Sequence, residues 1–117
     1  MKLVKLDSAG PLLRLAAEGD ITLQTLDPGR DLLRNALGPD YAKNKVLFSL
    51  EKVTYIDSSG ISWLLVAHKH FVQGGGKLVL HSAPPLVEQV LRLLKMQLVL
   101  NLAADEASAR ALLEGPS

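Results

Sequence analysis

The chain of 117 residues contains no cysteine. Disulfides and thiolate metal sites are thereby excluded, which suits a reducing compartment. Aromatics make up only 4% of it, so a core has to be built from Leu, Val and Ala. No basic run is present: 13 Lys and Arg face 12 Asp and Glu, spread along the chain, for a formal charge of +1. The electrostatic footprint of a nucleic-acid binder is therefore missing. No apolar stretch is long enough to span a bilayer, and Lys2, Lys5 and Asp7 interrupt any signal-peptide core. These absences point to a cytoplasmic protein without direct membrane insertion. What is present is 48% hydrophobic residues, enough for one modest core and hence one domain over 1–117. Such a composition is unlike that of a disordered chain.

Punctuation along the chain divides it into short elements. "KLVKL" and "PLLRLAAEG" alternate loosely around Gly10-Pro11 and read as a hairpin. "DPGRDLLRNALGP" reads as a short helix, with Asp27 as cap, Pro28 in its first turn and Gly38-Pro39 at its end. "KVLFSL" (45–50) reads as a buried strand, followed by a helix over about 59–73 that "QGGGK" stops. "KLVLHS" (77–82) is a second buried strand, and "APPLVEQVLRLLK" a helix whose prolines fit only its first turn. "LVLNL" (98–102) reads as the last strand and "DEASARALLEG" as the last helix, capped by Asp105 with Gly115 past its end. Strand and helix alternate from residue 45 onward, which implies an α/β domain with parallel strands joined by right-handed crossovers.

One junction stands out. In "VTYIDSSGISWLL" (53–65), Asp57, Ser58, Ser59 and Gly60 separate an apolar strand from an apolar helix. Sites in open α/β sheets lie at this carboxyl edge, and a helix N-terminus offers unpaired N–H groups and partial positive charge. A phosphoserine carries roughly −1.5 to −2 charge at neutral pH. Beside Asp57 it would create a dense negative patch on a nearly neutral protein, able to switch off docking without unfolding anything. The plainer role is helix capping by Ser58 or Asp57, with Gly60 relieving crowding. The two are compatible, since a capping hydroxyl is also an exposed one.

Helical spacing turns Ile61, Leu64, Leu65, His68, Phe71 and Val72 toward the sheet. Ser62, Trp63, Val66, Lys69, His70 and Gln73 fall largely on the other side. Exposed, Trp63 and Val66 would form an apolar spot beside the serines, suited to anchoring a partner; alternatively Trp63 packs under a neighbouring helix. Other chemistry finds little support. "IDSSG" is not the G-x-S-x-G elbow of a hydrolase, and His68 would point away from Ser58, although His81, at a strand end, could approach the same edge. His68 and His70 are two apart and face different directions, against a metal site. "QGGGK" lacks the spacing of a phosphate loop and follows a helix instead of opening one.

Residues 45–113 closely resemble the central and C-terminal part of STAS domains, in particular bacterial anti-sigma-factor antagonists. The shared features are an apolar strand, V-x-x-I-D-S-S-G, a helix, a glycine-rich turn with lysine, "LVL", a helix beginning at proline, a short strand and an acid-capped last helix. "GDIT" (19–22) matches more loosely. The resemblance implies a STAS fold: a mixed sheet of about five strands with a right-handed β-α superhelix and about four helices. It also implies a non-enzymatic regulator of sigma-factor-dependent transcription. The unphosphorylated protein would bind an anti-sigma factor that is also a serine kinase of the GHKL type, freeing the sigma factor. That kinase would phosphorylate Ser58, with Asp57 helping to position the acceptor and Ser59 and Gly60 flanking it, and a PP2C-type phosphatase would reverse the step. ATP would belong to the kinase, so no cofactor is expected on this chain. Thr22, Ser62, Trp63 and Val66 would contribute to partner binding.

Two stretches depart from the family pattern. Thr22 stands where an acidic residue is usual, on the kinase-facing side, and "FSLEKV" puts Ser49 and Glu51 where a strand end commonly carries aspartate. The alternative reading is a STAS docking subunit, of a signalling scaffold or of a lipid-transport ABC complex, that uses the same surface without obligatory phosphorylation.

Overall fold

The computed structural model describes residues 1–7, 12–26 and 31–114. Strand β1 (Lys2–Lys5) pairs antiparallel with β2 (Leu12–Ile21), forming the expected hairpin; its Gly10-Pro11 turn lies outside the described residues. Helix α1 (Leu32–Leu37) follows, then a 3-10 turn (Tyr41–Lys43), β3 (Lys45–Ile56) and α2 (Ser58–Gly74). The chain closes with β4 (Lys77–His81), α3 (Pro85–Leu93), a second 3-10 turn (Met96–Leu98), β5 (Asn101–Ala103) and α4 (Glu106–Glu114). The five strands lie in chain order, and β2, β3, β4 and β5 are mutually parallel.

That order decides where the helices go. Each right-handed crossover advances one strand in the same direction, so the connecting helices stack on one face. Leu33 of α1, Leu64 and Phe71 of α2 and Val87 and Leu91 of α3 all join the core that holds Val46, Phe48 and Leu50 of β3. Helix α4 has no further strand to reach and covers the opposite face, where Ala109 and Leu113 pack on Leu12, Leu47 and Val79. Both faces of β3 are therefore buried over Val46–Phe48, the physical reason for the apolar run there.

Several boundaries differ from the expectation. Helix α1 is capped by Asp31, whose Oδ1 accepts from Arg34 N at 3.1 Å; the expected cap, Asp27, and Pro28 lie outside the described residues. Gly38, at φ 96°, ends the helix as expected. Strand β3 runs to Ile56 instead of Leu50, because β2 keeps pairing with it as far as Ile21↔Ile56, with register shifts, after β4 has stopped at Ser49↔His81. The last strand is Asn101–Ala103, not 98–102. Leu98 ends the second 3-10 turn and Val99 caps it; both are exposed, since β4 offers hydrogen-bonding partners only from Asn101 onward. Asp105 caps α4 as expected, accepting from Ser108 N at 2.8 Å.

Candidate functional site

The junction that stands out in the sequence is built where β2 and β3 both end. Ile56 is the last residue of β3, and Asp57 is the N-cap of α2 in extended conformation. The capping role left open between Ser58 and Asp57 therefore falls to Asp57. Its Oδ1 accepts from Gly60 N at 2.9 Å and its Oδ2 from Leu23 N at 3.1 Å. One carboxylate thus closes the helix and ties down the loop after β2. These two N–H groups, Gly60 first, hold the Asp57 carboxyl below the usual carboxylate range, against a smaller opposing effect of burial. The group is anionic at neutral pH.

Gly60 is required by a close approach. A Cβ there would collide with the Ile21 carbonyl oxygen and fall 2.7 Å from the Ile56 side chain. Asp57 N also donates to Ile21 O, at 3.3 Å, so the first turn of α2 rests directly on the end of β2.

Ser58 is the first residue of α2 and is exposed, while Ser59 is half-buried. Ser58, Ser62 and Val66 follow one another at four-residue steps and are all exposed, so they share one stripe of the helix. Two other expected contact residues sit differently. Trp63 is half-buried, its ring edge-on to Phe48 at a centroid distance of 6.2 Å, so most of it belongs to the core. Thr22 is 6% exposed; its amide donates to Thr25 Oγ1 at 3.0 Å and its carbonyl accepts from the amides of Thr25 and Leu26. The loop presents Leu23 instead, at 66% exposure. Leu23 and the exposed Tyr55 were missed in the sequence. Leu23 is 34 residues from the aspartate that holds it, and no local pattern signals that contact. The expected inward face of α2 is kept at Ile61, Leu64 and Phe71, but Leu65 and His68 are half-buried and Val72 is exposed, because they lie on the flank of the stripe that Leu64, Ala67 and Phe71 bury.

Two of the three imidazoles are engaged elsewhere, and the third lies farther along α2. His70 Nδ1 lies 3.1 Å from Tyr41 Oη, His81 Nδ1 lies 2.7 Å from Ser82 Oγ, and His68 is half-buried farther along α2. Among the described residues, none is hydrogen-bonded to Ser58 or Ser59. His81 is buried, and burial first of all pushes its pKa down. Ser58 is thus an exposed hydroxyl without a base, beside an anchored anion. This geometry suits a group acted on by another protein better than a nucleophile. No helix among the described residues is long and apolar enough to cross a membrane.

Comparison with known structures places this geometry in context. A Thermotoga maritima protein, described as a candidate anti-sigma factor antagonist, superposes with a TM-score of 0.78 at 17% identity, covering 93% of this chain and 92% of its own. The anti-sigma factor antagonist SpoIIAA in its unphosphorylated form gives 0.66 at 16% identity over 98% of this chain and all of its own, 100%. An anti-sigma-factor antagonist (STAS) domain protein from Planctomyces limnophilus gives 0.67 at 17%, covering 97% and 98%. At these identities the likeness establishes the fold. Residues 6–109 match the sequence model of the STAS domain, so that, with a sheet of five strands, four helices and the D-S-S-G turn opening α2, the chain belongs to the STAS domain family.

Proposed function

We propose that this domain is an anti-sigma factor antagonist: a binding module, not an enzyme, that docks an anti-sigma factor and is switched off by phosphorylation of Ser58. The observation that carries the proposal is the placement of Ser58, exposed at the start of α2 beside an ionised Asp57 whose two oxygens are already engaged. A phosphate there adds roughly −1.5 to −2 charge without breaking a native hydrogen bond of the cap. The fold therefore survives, while the docking face gains a dense negative patch beside Asp57. Ser62 and Val66 continue that face along α2, and Leu23 and the loop after β2 adjoin it.

In this reading the partner is a GHKL-type serine kinase that brings its own ATP, and a PP2C-type phosphatase restores the free hydroxyl. The domain works in the cytoplasm and acts on transcription only through the sigma factor it releases. The fold of the structural relatives and the resemblance of the D-S-S-G turn support the choice of partner class.

Titration of the purified domain against its anti-sigma factor tests the proposal. Ser58→Ala retains binding, whereas Ser58→Glu weakens it at least about tenfold, the effect of a like or unpaired charge in an interface. Unchanged affinity of the Ser58→Glu protein would contradict the switch. Co-purification with an ABC ATPase, with no phosphate on Ser58, would indicate a docking subunit instead.

A further inference from the structure

The edge of the sheet opposite Ser58 carries a groove of about 510 Å³, within the size range of small-ligand sites. Strands β3 and β4 begin there at Lys45 and Lys77, and α2 and α4 end there. His68 and Val72 of α2, Leu78 of β4 and Leu113 of α4 complete the lining used here. Among the described residues, no acidic one lines the groove.

Lys45 and Lys77 are direct partners in the parallel register, so their side chains leave the same face of the sheet. Like charges placed opposite one another are destabilising. Among the described residues, no carboxylate lies within 4.0 Å of either ammonium group. Lys77 Nζ donates to Leu112 O at 2.6 Å and so satisfies the end of α4. Lys45 has no comparable hydrogen bond among the described residues and is exposed. Beside this pair, Val72 offers a branched apolar side chain that is 63% exposed.

We infer that the groove binds a small amphiphilic anion, with a carboxylate or phosphate monoester head at the Lys45–Lys77 pair and a short apolar body against the exposed Val72. The head relieves the repulsion between the two lysines. Lys77 is already turned toward α4, so Lys45 makes the direct contact and Lys77 contributes field. The site is separate from the switch at Ser58, since it lies at the other end of α2.

Calorimetric titration and amide chemical-shift mapping with octanoate, octyl phosphate and inorganic phosphate test the inference. Saturable binding is expected for octanoate, octyl phosphate or both, and whichever binds identifies the head. Shifts should centre on Gly75–Leu78 and Leu113. Lys45→Gln should weaken binding about twofold to fivefold, the scale of one exposed ion pair, with an unchanged amide spectrum elsewhere. Val72→Asp, at an exposed position, should abolish it. No saturable binding of any probe, equal affinity for inorganic phosphate alone, or affinity unchanged in Lys45→Gln would each overturn the inference.

Discussion

Asp57 and Gly60 do separate jobs on either side of the exposed Ser58: one caps α2 and holds Leu23, the other lets α2 rest on the end of β2. Gly60 has no room for a side chain: Gly60→Ala forces a methyl group into the Ile21 carbonyl and the Ile56 side chain. The expected cost is about 3 kcal/mol, measured by urea denaturation, with loss of the Leu23–Asp57 contact in amide spectra. Asp57→Ala removes the acceptor of both Gly60 N and Leu23 N and should lower Tm by roughly 5 °C; Asp57→Asn, which keeps one acceptor, should lose less. The D-S-S-G turn was legible from residue types alone, because a cap, a small residue and a hydroxyl at a strand–helix junction leave few arrangements. Thr22 was not: a polar residue in a loop reads as surface, yet here the Thr22–Thr25 turn satisfies its polar groups internally and buries it.

Helix α2 shows how far periodicity carries at the scale of an element. Ile61, Leu64 and Phe71 followed from the spacing, whereas Val72 is exposed, and the helix end followed from three glycines, of which Gly75 adopts the left-handed conformation, at φ 86°. Spacing puts Trp63 largely on the outer side and leaves open whether it is exposed or packed under a neighbouring helix; in the structure it is half-buried, its ring edge-on to Phe48. Trp63→Ala should therefore cost about 2–3 kcal/mol, near the lower end for a large aromatic because the ring is only half-buried. Chemical denaturation would measure this, with circular dichroism as the probe because the chain's single tryptophan is removed. A cost near zero would show that Trp63 is a free surface residue. Strand β5 gives the opposite lesson. "LVLNL" has strand composition, but a strand needs a partner, and the register of β4 takes in only Asn101 and Leu102 of it, followed by Ala103. "VTYI" reads as strand, but its continuity with 45–50 as one β3 was hidden for the same reason, since the partner β2 lies far away in sequence.

For the whole molecule, alternation of strand and helix was enough to predict a parallel α/β domain, and chain-order stacking explains why three helices share one face and α4 takes the other. The same packing sets the response to acid. His81 is buried at the end of β4, facing Glu106 and Asp105 of the α4 segment, Arg14 of β2 and Glu51 of β3, and burial outweighs the acidic groups in lowering its pKa. A histidine depressed in the folded state binds fewer protons than in the unfolded chain. Its share of stability is therefore full above the unfolded value, about 6.5, and is lost as pH falls from there through the folded value. Asp57, Asp105 and Glu106, also depressed, keep their share until lower pH, losing it as pH falls through their own folded values. Thermal denaturation should thus show a first fall in Tm just below pH 6.5, which His81→Gln removes, and a second in the carboxylate range, which it leaves. The central claim concerns a change the fold must tolerate at its carboxyl edge. It is tested most directly by intact mass and site mapping after incubation with ATP and a lysate of the source organism, beside a Ser58→Ala control. The account predicts one added phosphate, on Ser58 and absent from the Ser58→Ala protein; no phosphate on any serine, with an active kinase control, would contradict it.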